Sequence, residues 1–443
     1  MVKDPIVALA TPPGIGGIGV VRISGFGIES ICDGILKRLP KPRFATFTKF
    51  FDRHGIEIDE GIALYFPSPN SFTGEDVLEL QAHGGPVVLD LLIERTLELG
   101  ARIARPGEFS ERAFLNDKID LLQAEAIADL IEARTVHAAR SARRVMQGDF
   151  SVLVNELIRE LIDLRIYVEA AIDFSEQEIE FLSYGIIKSR LTILSQKLEQ
   201  ILIAARKGAI LRAGMSIVIA GKPNSGKSSL LNLLAKKEAA IVTNQPGTTR
   251  DILRETIEID GVAINFIDTA GLRFAQDPIE QEGIRRARLE IDQADRILWM
   301  VDTNETERDK PDEIIVANKT KVTQIFNKID LTNEKPALMK SKFDFDIYMS
   351  VKTGEGVDIL IEHFTDLIGF SEKTEDIFLA RRRHVDSIET ATTCIKVALT
   401  QINFLEIIAE ELKQAQQSLS KITGAFTTDD LLGEIFSTFC IGK

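Results

Sequence analysis

The chain has 443 residues, enough for about two to four domains that each bury a core. Its formal charge of −14 argues against broad nonspecific adhesion to nucleic acid or anionic membranes, so a nucleic-acid substrate would need a local basic patch. The three cysteines form no even framework and no C-x-x-C pair, which favours a reducing cytoplasm over disulfides or structural zinc. Because the sequence lacks a signal peptide and any apolar run of about 18 residues, we expect a cytoplasmic protein.

Residues 1 to 117 predict a domain of mixed α/β type. Strands are expected at Ile6–Ala10 and Gly19–Ile23, on either side of a glycine-rich loop whose spacing does not match a dinucleotide fingerprint. Arg22 lies in the second of these strands, and Glu79 precedes a tight turn.

Residues 118 to 213 have apolar residues at helical spacing, which predicts two or three long amphipathic helices. The most basic part of this region holds Arg134, Arg140, Arg143 and Arg144. These arginines fit a solvated helix face, and an RNA-facing strip is the sharper alternative.

Gly221 to Ser228 read G-x-x-x-x-G-K-S, the pattern of a phosphate-binding loop. An apolar run, Met215–Ala220, predicts a buried strand before the loop, and Ser228–Leu234 predicts a helix after it. In this pattern the glycines let backbone N–H groups face phosphate oxygens, Lys227 reaches the β- and γ-phosphates, and the Ser228 hydroxyl is offered to Mg²⁺.

Four further motifs follow in the order found in GTPases: Gly247-Thr-Thr-Arg250, Asp268-Thr-Ala-Gly271, Asn327-Lys-Ile-Asp330 and Ser350-Val-Lys352. Asp330 can accept the two N–H groups that guanine offers and adenine does not. The predicted GTP contacts are Asn224, Ser225, Gly226, Lys227, Ser228, Ser229, Thr243, Asn244, Gln245, Pro246, Gly247, Thr248, Thr249, Asp268, Thr269, Ala270, Gly271, Asn327, Lys328, Asp330, Ser350, Val351 and Lys352.

Leu272 stands where Ras-like GTPases carry a water-orienting glutamine, so hydrolysis needs another group. The residues that follow offer five candidates: Arg273, Gln276, Asp277, Glu280 and Glu282. Positive charge can also come from a monovalent cation held by the side-chain carbonyl of Asn224 together with backbone carbonyls of residues 243 to 248. The alternative for Asn224 is an ordinary turn residue.

Residues 214 to 371 alternate strands and helices, which predicts a mainly parallel sheet, and residues 372 to 443 are helical again. Helical blocks therefore flank a complete nucleotide-binding domain. We interpret them as one discontinuous helical domain with the P-loop domain inserted.

Several motifs together resemble the MnmE (TrmE) family of tRNA modification GTPases along the whole chain. Beyond the GTPase motifs they are Ala10-Thr-Pro-Pro-Gly, Arg22-Ile-Ser-Gly, Phe72-Thr-Gly-Glu-Asp, His83-Gly-Gly-Pro, Arg105-Pro-Gly-Glu-Phe-Ser-Glu-Arg-Ala-Phe114, Gln123-Ala-Glu-Ala, Phe378-Leu-Ala-Arg-Arg-Arg-His384 and Phe439-Cys-Ile-Gly-Lys443.

The resemblance implies a folate-binding and dimerising domain over residues 1–117, a helical domain over 118–213 and 372–443 that ends in the Cys-Ile-Gly-Lys tail, and a GTPase domain over 214–371. It implies a homodimer that joins an FAD-dependent partner in a heterotetramer. Such a complex installs an aminomethyl or carboxymethylaminomethyl group on C5 of the wobble uridine, U34, of certain tRNAs.

The resemblance also implies roles for individual residues, which are listed here by ligand. A reduced folate, 5-formyl- or 5,10-methylene-tetrahydrofolate, would contact Arg22, Glu79, Lys118 and Lys443; K⁺ would contact Asn224, Thr243, Gln245 and Thr248; Mg²⁺ would contact Ser228 and Thr249. Glu280 would orient the hydrolytic water through a second water, with Lys227 and Thr249 as the other catalytic residues. Gln245 and Pro246 depart from the apolar and small residues expected there, but Gln245 would contribute only its backbone carbonyl.

Two other classes share the GTPase motifs. A ribosome-assembly GTPase would normally append an RNA-binding module such as a KH domain, and no convincing G-x-x-G loop in such a unit follows residue 370. A membrane-remodelling GTPase would need a basic amphipathic or apolar anchor, which the sequence does not offer.

Overall fold

The computed structural model describes residues 4–173, 180–237, 254–259, 261–268, 291, 294–304, 321–332, 334–368, 378–424, 429–437, 439 and 442. The chain divides into two compact units. One comprises Met1–Ala128, Val145–Leu194 and Thr393–Lys443, and the other comprises Asp129–Arg144 and Ser195–Thr392. Among the described residues, no helix has the length and apolar character needed to cross a membrane.

The N-terminal part of the first unit is built on a six-stranded sheet of order β3-β4-β5-β2-β1-β6. Its strands are β1 (Ile6–Leu9), β2 (Gly19–Gly25), β3 (Thr46–Phe51), β4 (Glu57–Phe66), β5 (Asp76–Ala82) and β6 (Arg102–Ile103). All neighbours are antiparallel except β1 and β6, which are parallel. This arrangement confirms the mixed α/β prediction and sets Arg22 directly opposite Glu79.

Three helices accompany this sheet: α1 (Glu29–Leu36), α2 (Pro86–Glu98) and α3 (Glu108–Leu115). The apolar faces of α1 and α2 pack on the sheet, where Ile31, Ile35, Leu89 and Leu92 are fully or nearly fully buried. Burial of such side chains contributes roughly 1.5–3 kcal/mol each, so this layer stabilises the domain.

Four helices follow, where the sequence predicted two or three: α4 (Leu121–Glu132), α5 (Val136–Met146), α6 (Asp149–Asp173) and α7 (Glu180–Ala213). The periodicity located the helical region, but two local stops divide it. Thr135 precedes α5, and its hydroxyl accepts a hydrogen bond from the amide of Ala138 at 3.1 Å, as an N-cap does. Gly148 separates α5 from α6 with φ +94°, a conformation that L side chains rarely adopt.

The second unit contains a seven-stranded sheet of order β12-β13-β11-β10-β7-β9-β8. Its strands are β7 (Met215–Gly221), β8 (Arg254–Ile259), β9 (Val262–Asp268), β10 (Arg296–Asp302), β11 (Val322–Asn327), β12 (Ala337–Lys340) and β13 (Asp344–Tyr348). The five central strands are parallel, while β8 and β12 pair antiparallel at the two edges. Its described helices include α8 (Lys227–Lys237) and α9 (Val357–Ile368).

The C-terminal helices are α10 (Arg382–Thr400), α11 (Leu405–Thr423) and α12 (Asp429–Ser437). The prediction that residues 372 to 443 are helical was wrong for residues 378–381, which are not helical. Phe378, Leu379 and Ala380 are buried there, and the amide of Arg381 donates to Nδ1 of His384 at 3.1 Å at the start of α10. Tertiary burial therefore overrides the helical periodicity at this point.

Helix α11 packs against α6 in the first unit, where Nη1 of Arg165 donates to Oε1 of Gln416 at 2.7 Å. The last helix is held by an apolar cluster in which Ile435, Phe436 and Phe439 pack with Leu121 and Ala124 of α4. The end of the described chain is thus tied to the helical core.

Candidate guanine-nucleotide site

The phosphate-binding loop connects β7 to α8, in the predicted order of strand, loop and helix. Gly221, Asn224 and Gly226 have φ values of +143°, +63° and +107°. At Gly226 a Cβ would collide with the side-chain amide of Asn327 and at Gly221 with the carbonyl of Met300, so these two positions accept only glycine.

Lys227 is the first residue of α8, and its side chain turns back across the loop. Its Nζ donates to the carbonyls of Gly221 at 2.8 Å and Lys222 at 2.7 Å. Ser225 is buried, and its hydroxyl has no hydrogen-bond partner among the described residues. The loop therefore combines an ammonium group and an unsatisfied hydroxyl with the positive end of a helix, which suits an anionic phosphate.

Asn327 ties the two sides of the site together. Its Nδ2 donates to the carbonyl of Ser225 at 2.8 Å, and its Oδ1 accepts from the amide of Val351 at 2.9 Å. The side chain is nearly fully buried. One amide thereby connects the phosphate-binding loop to the segment expected at the guanine base.

Asp330 and Ser350 meet at the base end of the site. Oγ of Ser350 donates to Oδ1 of Asp330 at 2.6 Å and accepts from the amide of Thr353 at 3.2 Å. Ser350 is completely buried. Its hydroxyl holds one carboxylate oxygen of Asp330, which orients the group expected to accept from guanine.

Lys328 has φ +71°, and its Nζ lies 2.5 Å from Oδ2 of Asp302. Asp302 ends β10, and the parallel register places it beside Asn327 at the end of β11. Sequence reasoning missed Asp302. The sequence signal for Asp302 was an acidic residue that directly follows the apolar run of a buried strand, as Asp268 does at the end of β9.

Asn327, Lys328 and Asp330 line a cavity of about 500 Å³, within the usual size range of small-molecule sites. Its lining includes the predicted residues Asn224, Gly226, Ser229, Asn327, Lys328, Asp330, Val351 and Lys352. It also includes four that were not predicted, Asn232, Leu233, Lys236 and Leu331. Ser229, Asn232 or Leu233, and Lys236 recur at helical spacing along α8, which was the available signal.

Many predicted contacts lie outside the described residues. They are Thr243, Asn244, Gln245, Pro246, Gly247, Thr248, Thr249, Thr269, Ala270, Gly271 and Glu280, together with Lys443 of the folate set. Asp268 ends β9 and pairs in register with Ile219 of β7. The exposed Ser228 and Ser229 lie in the first turn of α8. The residues outside the described part of the chain thus include most of the proposed Mg²⁺, K⁺ and water-activating groups, and those roles stay predictions.

Comparison with known proteins covers nearly the whole chain. A model of the MnmE helical domain matches residues 121–440, and a model of the GTP-binding protein TrmE N-terminus matches residues 5–118. The tRNA modification GTPase MnmE of Yersinia pseudotuberculosis serotype IB (strain PB1/+) is 55% identical over 450 residues, which is 99% of this chain and 99% of that protein. The protein of the same name from Proteus mirabilis (strain HI4320) is 54% identical over 451 residues with the same coverage.

The chain belongs to the MnmE family of tRNA modification GTPases.

Solved G domains have a weaker likeness to this MnmE-family chain. The G domain of the T. maritima FeoB iron transporter is 24% identical, with a TM-score of 0.26, and covers 34% of this chain and 98% of its own. Aquifex aeolicus Era with the substitution Y63A, bound to GDP and AlF4⁻, is 24% identical with a TM-score of 0.27. The match covers 40% of this chain and 66% of the Era chain. Likenesses this low add nothing to the MnmE assignment.

A second cluster of predicted residues lies in the segment that matches the TrmE N-terminus. Nε of Arg22 donates to Oε1 of Glu79 at 2.8 Å across the β2–β5 pair. Nη1 of Arg22 also reaches the carbonyl of Gly442 at 3.5 Å, and a Cβ on Gly442 would collide with the carbonyl of Leu9. The fold of this MnmE-family chain therefore brings the C-terminal tail to Arg22, more than 400 residues earlier.

Lys118 belongs to the same predicted folate set, but its Nζ donates to the carbonyl of Pro69 at 2.9 Å, and its aliphatic stem lies beside Gly74. Its described contacts are thus with the loop between β4 and β5. Its ammonium group has three N–H donors, so this exposed side chain can keep the bond to Pro69 and still donate to a ligand.

A buried polar network lies behind Arg22 and Glu79. Arg112 donates to Glu75 at 3.0 Å and to Glu108 at 3.1 Å, while the hydroxyl of Ser24 donates to Glu75 at 2.8 Å. Burial alone would raise the pKa of Glu108, but hydrogen bonds from Arg102, the amide of Arg105 and Arg112 outweigh it and lower the pKa to about 2. The network ties β2 and α3 to the segment that leads into β5.

Proposed function

We propose that this protein is the GTP-hydrolysing component of a tRNA-modifying complex. The complex installs an aminomethyl or carboxymethylaminomethyl group at C5 of the wobble uridine, U34, of certain tRNAs. The observation that carries the proposal is a cavity framed by Asn327, Asp330 and Ser350 in a chain that matches named tRNA modification GTPases along its full length.

Asp330 selects the base. With Oδ1 held by Ser350, its carboxylate is oriented to accept two N–H donors in a plane, which guanine presents and adenine does not. Val351 and Lys352 follow on the next loop and face the O6 side of the base. GTP is therefore preferred over ATP, because adenine would leave the half-buried carboxylate of Asp330 without these two donors.

Lys227, Gly226 and the first turn of α8 bind the phosphates. The ammonium group of Lys227 exchanges its loop carbonyls for β- and γ-phosphate oxygens, and the Ser225 hydroxyl gains the partner that it lacks. The exposed Ser228 hydroxyl, together with Thr249, would hold Mg²⁺. Mg²⁺ supplies charge neutralisation on the phosphates.

Asn224 is exposed and holds a left-handed conformation at the mouth of the loop, which supports a role for its side-chain carbonyl as a K⁺ ligand. Thr243, Gln245 and Thr248 would complete that K⁺ site. Leu272 stands in place of a water-orienting glutamine, and the family resemblance assigns that role to Glu280, which would orient the hydrolytic water through a second water. Hydrolysis then drives the conformational cycle.

Arg22, Glu79, Lys118 and Lys443 bind a reduced folate, 5-formyl- or 5,10-methylene-tetrahydrofolate, as the one-carbon donor. The contact of Arg22 with the Gly442 carbonyl supports a site formed by both chain ends. The protein acts as a cytoplasmic homodimer and joins an FAD-dependent partner in a heterotetramer, with FAD held only by the partner.

The test is mass spectrometry of wobble uridines in tRNA from cells with the gene, without it, and with an Asp330→Asn variant. Loss of the C5 substituent in the deletion strain and its restoration by the wild-type gene are expected. The variant should fail to restore it, since guanine recognition is impaired. Unaltered wobble uridines in the deletion strain would overturn the proposal.

A further inference from the structure

Helix α5 carries the most basic segment of an acidic protein. Residues 133 to 148 contain four arginines and a histidine and neither Asp nor Glu, in a chain whose formal charge is −14. We use the name α5 basic surface for the exposed residues Arg134, Arg140 and Arg143. No described residue forms an ion pair with any of these three.

Two of the three arginines, Arg140 and Arg143, lie on one face of α5, and Arg134 lies two residues before the helix begins. Arg140 and Arg143 are three positions apart and exposed, whereas Ala138, Ala142 and Val145 are buried on the opposite face. Like charges at this spacing destabilise a helix, and α5 has no carboxylate to offset them. An external polyanion would remove this repulsion.

The acidic residue Asp129 of α4 does not cancel the surface. It is the acceptor for both Arg212, at 2.7 Å, and Arg381, at 2.9 Å, so two guanidinium groups already compensate its charge. The exposed Glu132 and Asp149 lie at the two ends of the segment and interrupt no part of its run of arginines. Arg144 stacks on the ring of Phe378 at 5.0 Å and is therefore not counted in the α5 basic surface.

We infer that the α5 basic surface binds the phosphodiester backbone of the tRNA substrate. All of its cations are arginines, whose planar fork matches two phosphate oxygens and which lose less freedom per hydrogen bond than lysine. Val136 is the large apolar side chain that α5 exposes, and the helix exposes no Leu, Phe or Trp that would enter a lipid surface. This inference rests on the tRNA-modifying function proposed above.

The test uses an α5 double variant, which carries Arg140→Gln and Arg143→Gln in one chain, and compares it with a matched control. The control combines Arg38→Gln, in the loop after α1, with Arg159→Gln, on α6; both arginines are exposed and likewise have no ion-pair partner among the described residues. A fluorescent tRNA transcript with uridine at the wobble position is titrated with full-length protein at several salt concentrations. GDP titrations verify that each protein is folded.

The α5 double variant is expected to bind the transcript about 10-fold more weakly at ~0.1 M salt, and its slope of log K against log salt should fall by about 1 to 2. Arg143→Gln alone should give about half of the slope change. The control should bind as the wild type does. Affinity depends here on phosphate charge, so the loss should be similar for different tRNA sequences.

Two failures are distinguishable. A wild-type protein that binds no transcript at any salt concentration would overturn the proposed tRNA function and this surface with it. Wild-type affinity and salt slope in the α5 double variant would overturn the surface alone. Light scattering adds a further outcome: a changed oligomer mass with unchanged tRNA affinity would assign these arginines to a protein contact and also refute the RNA assignment.

Discussion

Lys328 owes its position at the candidate base pocket to Asp302, a residue of the neighbouring strand. Lys328 has a left-handed backbone, and its ammonium group lies 2.5 Å from Asp302. Burial raises the pKa of the Asp302 carboxyl, but hydrogen bonds from Lys328 and from the amide of Asn304 outweigh it, so the net pKa is lowered. The carboxylate is therefore ionised at neutral pH and holds Lys328 across the pocket mouth.

Replacing Asp302 with Asn should weaken GDP binding about 5- to 20-fold, equivalent to ~1–2 kcal/mol, because a charge-assisted hydrogen bond becomes a neutral one. Fluorescent GDP titration measures the change. Glu362→Gln, at an exposed position of α9, makes the same charge change away from the pocket and should bind normally. Equal GDP affinity in Asp302→Asn and wild type would show that Asp302 does not position Lys328.

Glu280→Ala should reduce kcat for GTP hydrolysis by about 100-fold or more while leaving GTP affinity nearly unchanged, since a group that orients water acts on the transition state. Single-turnover hydrolysis and nucleotide titration separate the two effects. Glu282→Ala is the matched control. If Glu282→Ala loses activity and Glu280→Ala does not, the carboxylate that orients the water is Glu282 and not Glu280.

At the scale of single elements, α9 contains a buried histidine that responds to pH. Nε2 of His363 lies 3.1 Å from the Thr323 hydroxyl, and its ring packs edge-on against Phe345. Burial, and then the nearby charge of Arg296, lower the pKa of His363 to about 4, against the partial opposition of Asp344 and Asp366. His363 is therefore neutral in the folded domain at physiological pH.

This element should lose stability in mild acid. Above pH 6.5 the imidazole is neutral in both the folded and the unfolded protein. Below pH 6.5 the unfolded chain binds the proton first, so the free energy of unfolding falls until about pH 4. Between pH 8 and pH 5 the loss should be about 2 kcal/mol more than in His363→Gln. Trp299, the only tryptophan, lies in β10 and reports urea unfolding of this domain. Identical pH dependence in both proteins would contradict this.

Helix α12 and the tail after it are the second element with a testable role. Phe436 and Phe439 anchor the chain end, and the Gly442 carbonyl accepts from Arg22. A reduced folate carries an anionic glutamate tail, which Arg22, Lys118 and Lys443 would pair with, while Glu79 would accept from the pterin edge.

Deleting Cys440 to Lys443 should therefore abolish tRNA modification and weaken folate binding, while guanine-nucleotide binding is retained. Calorimetric titration of 5-formyltetrahydrofolate into full-length and truncated protein measures the first effect, and GDP titration is the folding control. Unchanged folate affinity in a truncated protein that binds GDP would refute a site built from both chain ends and leave the tail as a helix end only.

At the scale of the whole molecule, the absence of a catalytic glutamine after Asp268-Thr-Ala-Gly271 predicts that hydrolysis depends on K⁺ and on paired G domains. GTP turnover of the full-length protein should be higher in K⁺ than in Na⁺ at the same ionic strength, because the larger ion fits a cage of carbonyl oxygens. Asn224→Ala should remove most of that difference. Equal rates in the two salts would exclude a K⁺ site.

The sequence by itself determined the family, the order of the domains and the nucleotide motifs. Gly221, Gly226, Lys227 and Asp330 are predictable because each acts through local backbone geometry or through a group fixed at the end of a strand. The strand before the phosphate-binding loop, β7, was also predictable, since an apolar run of this length is typical of a strand buried in a parallel sheet.

Only the tertiary structure decided which distant residues meet. Asp302 lies beside Lys328 because β10 and β11 are parallel neighbours, and Gly442 lies beside Arg22 because α12 packs on α4. Hydrophobic periodicity records which face of an element is buried but not which element covers it, nor where a cap such as Thr135 interrupts a helical pattern. Strand order and long-range packing supply that information, because they set the distances between side chains far apart in the chain.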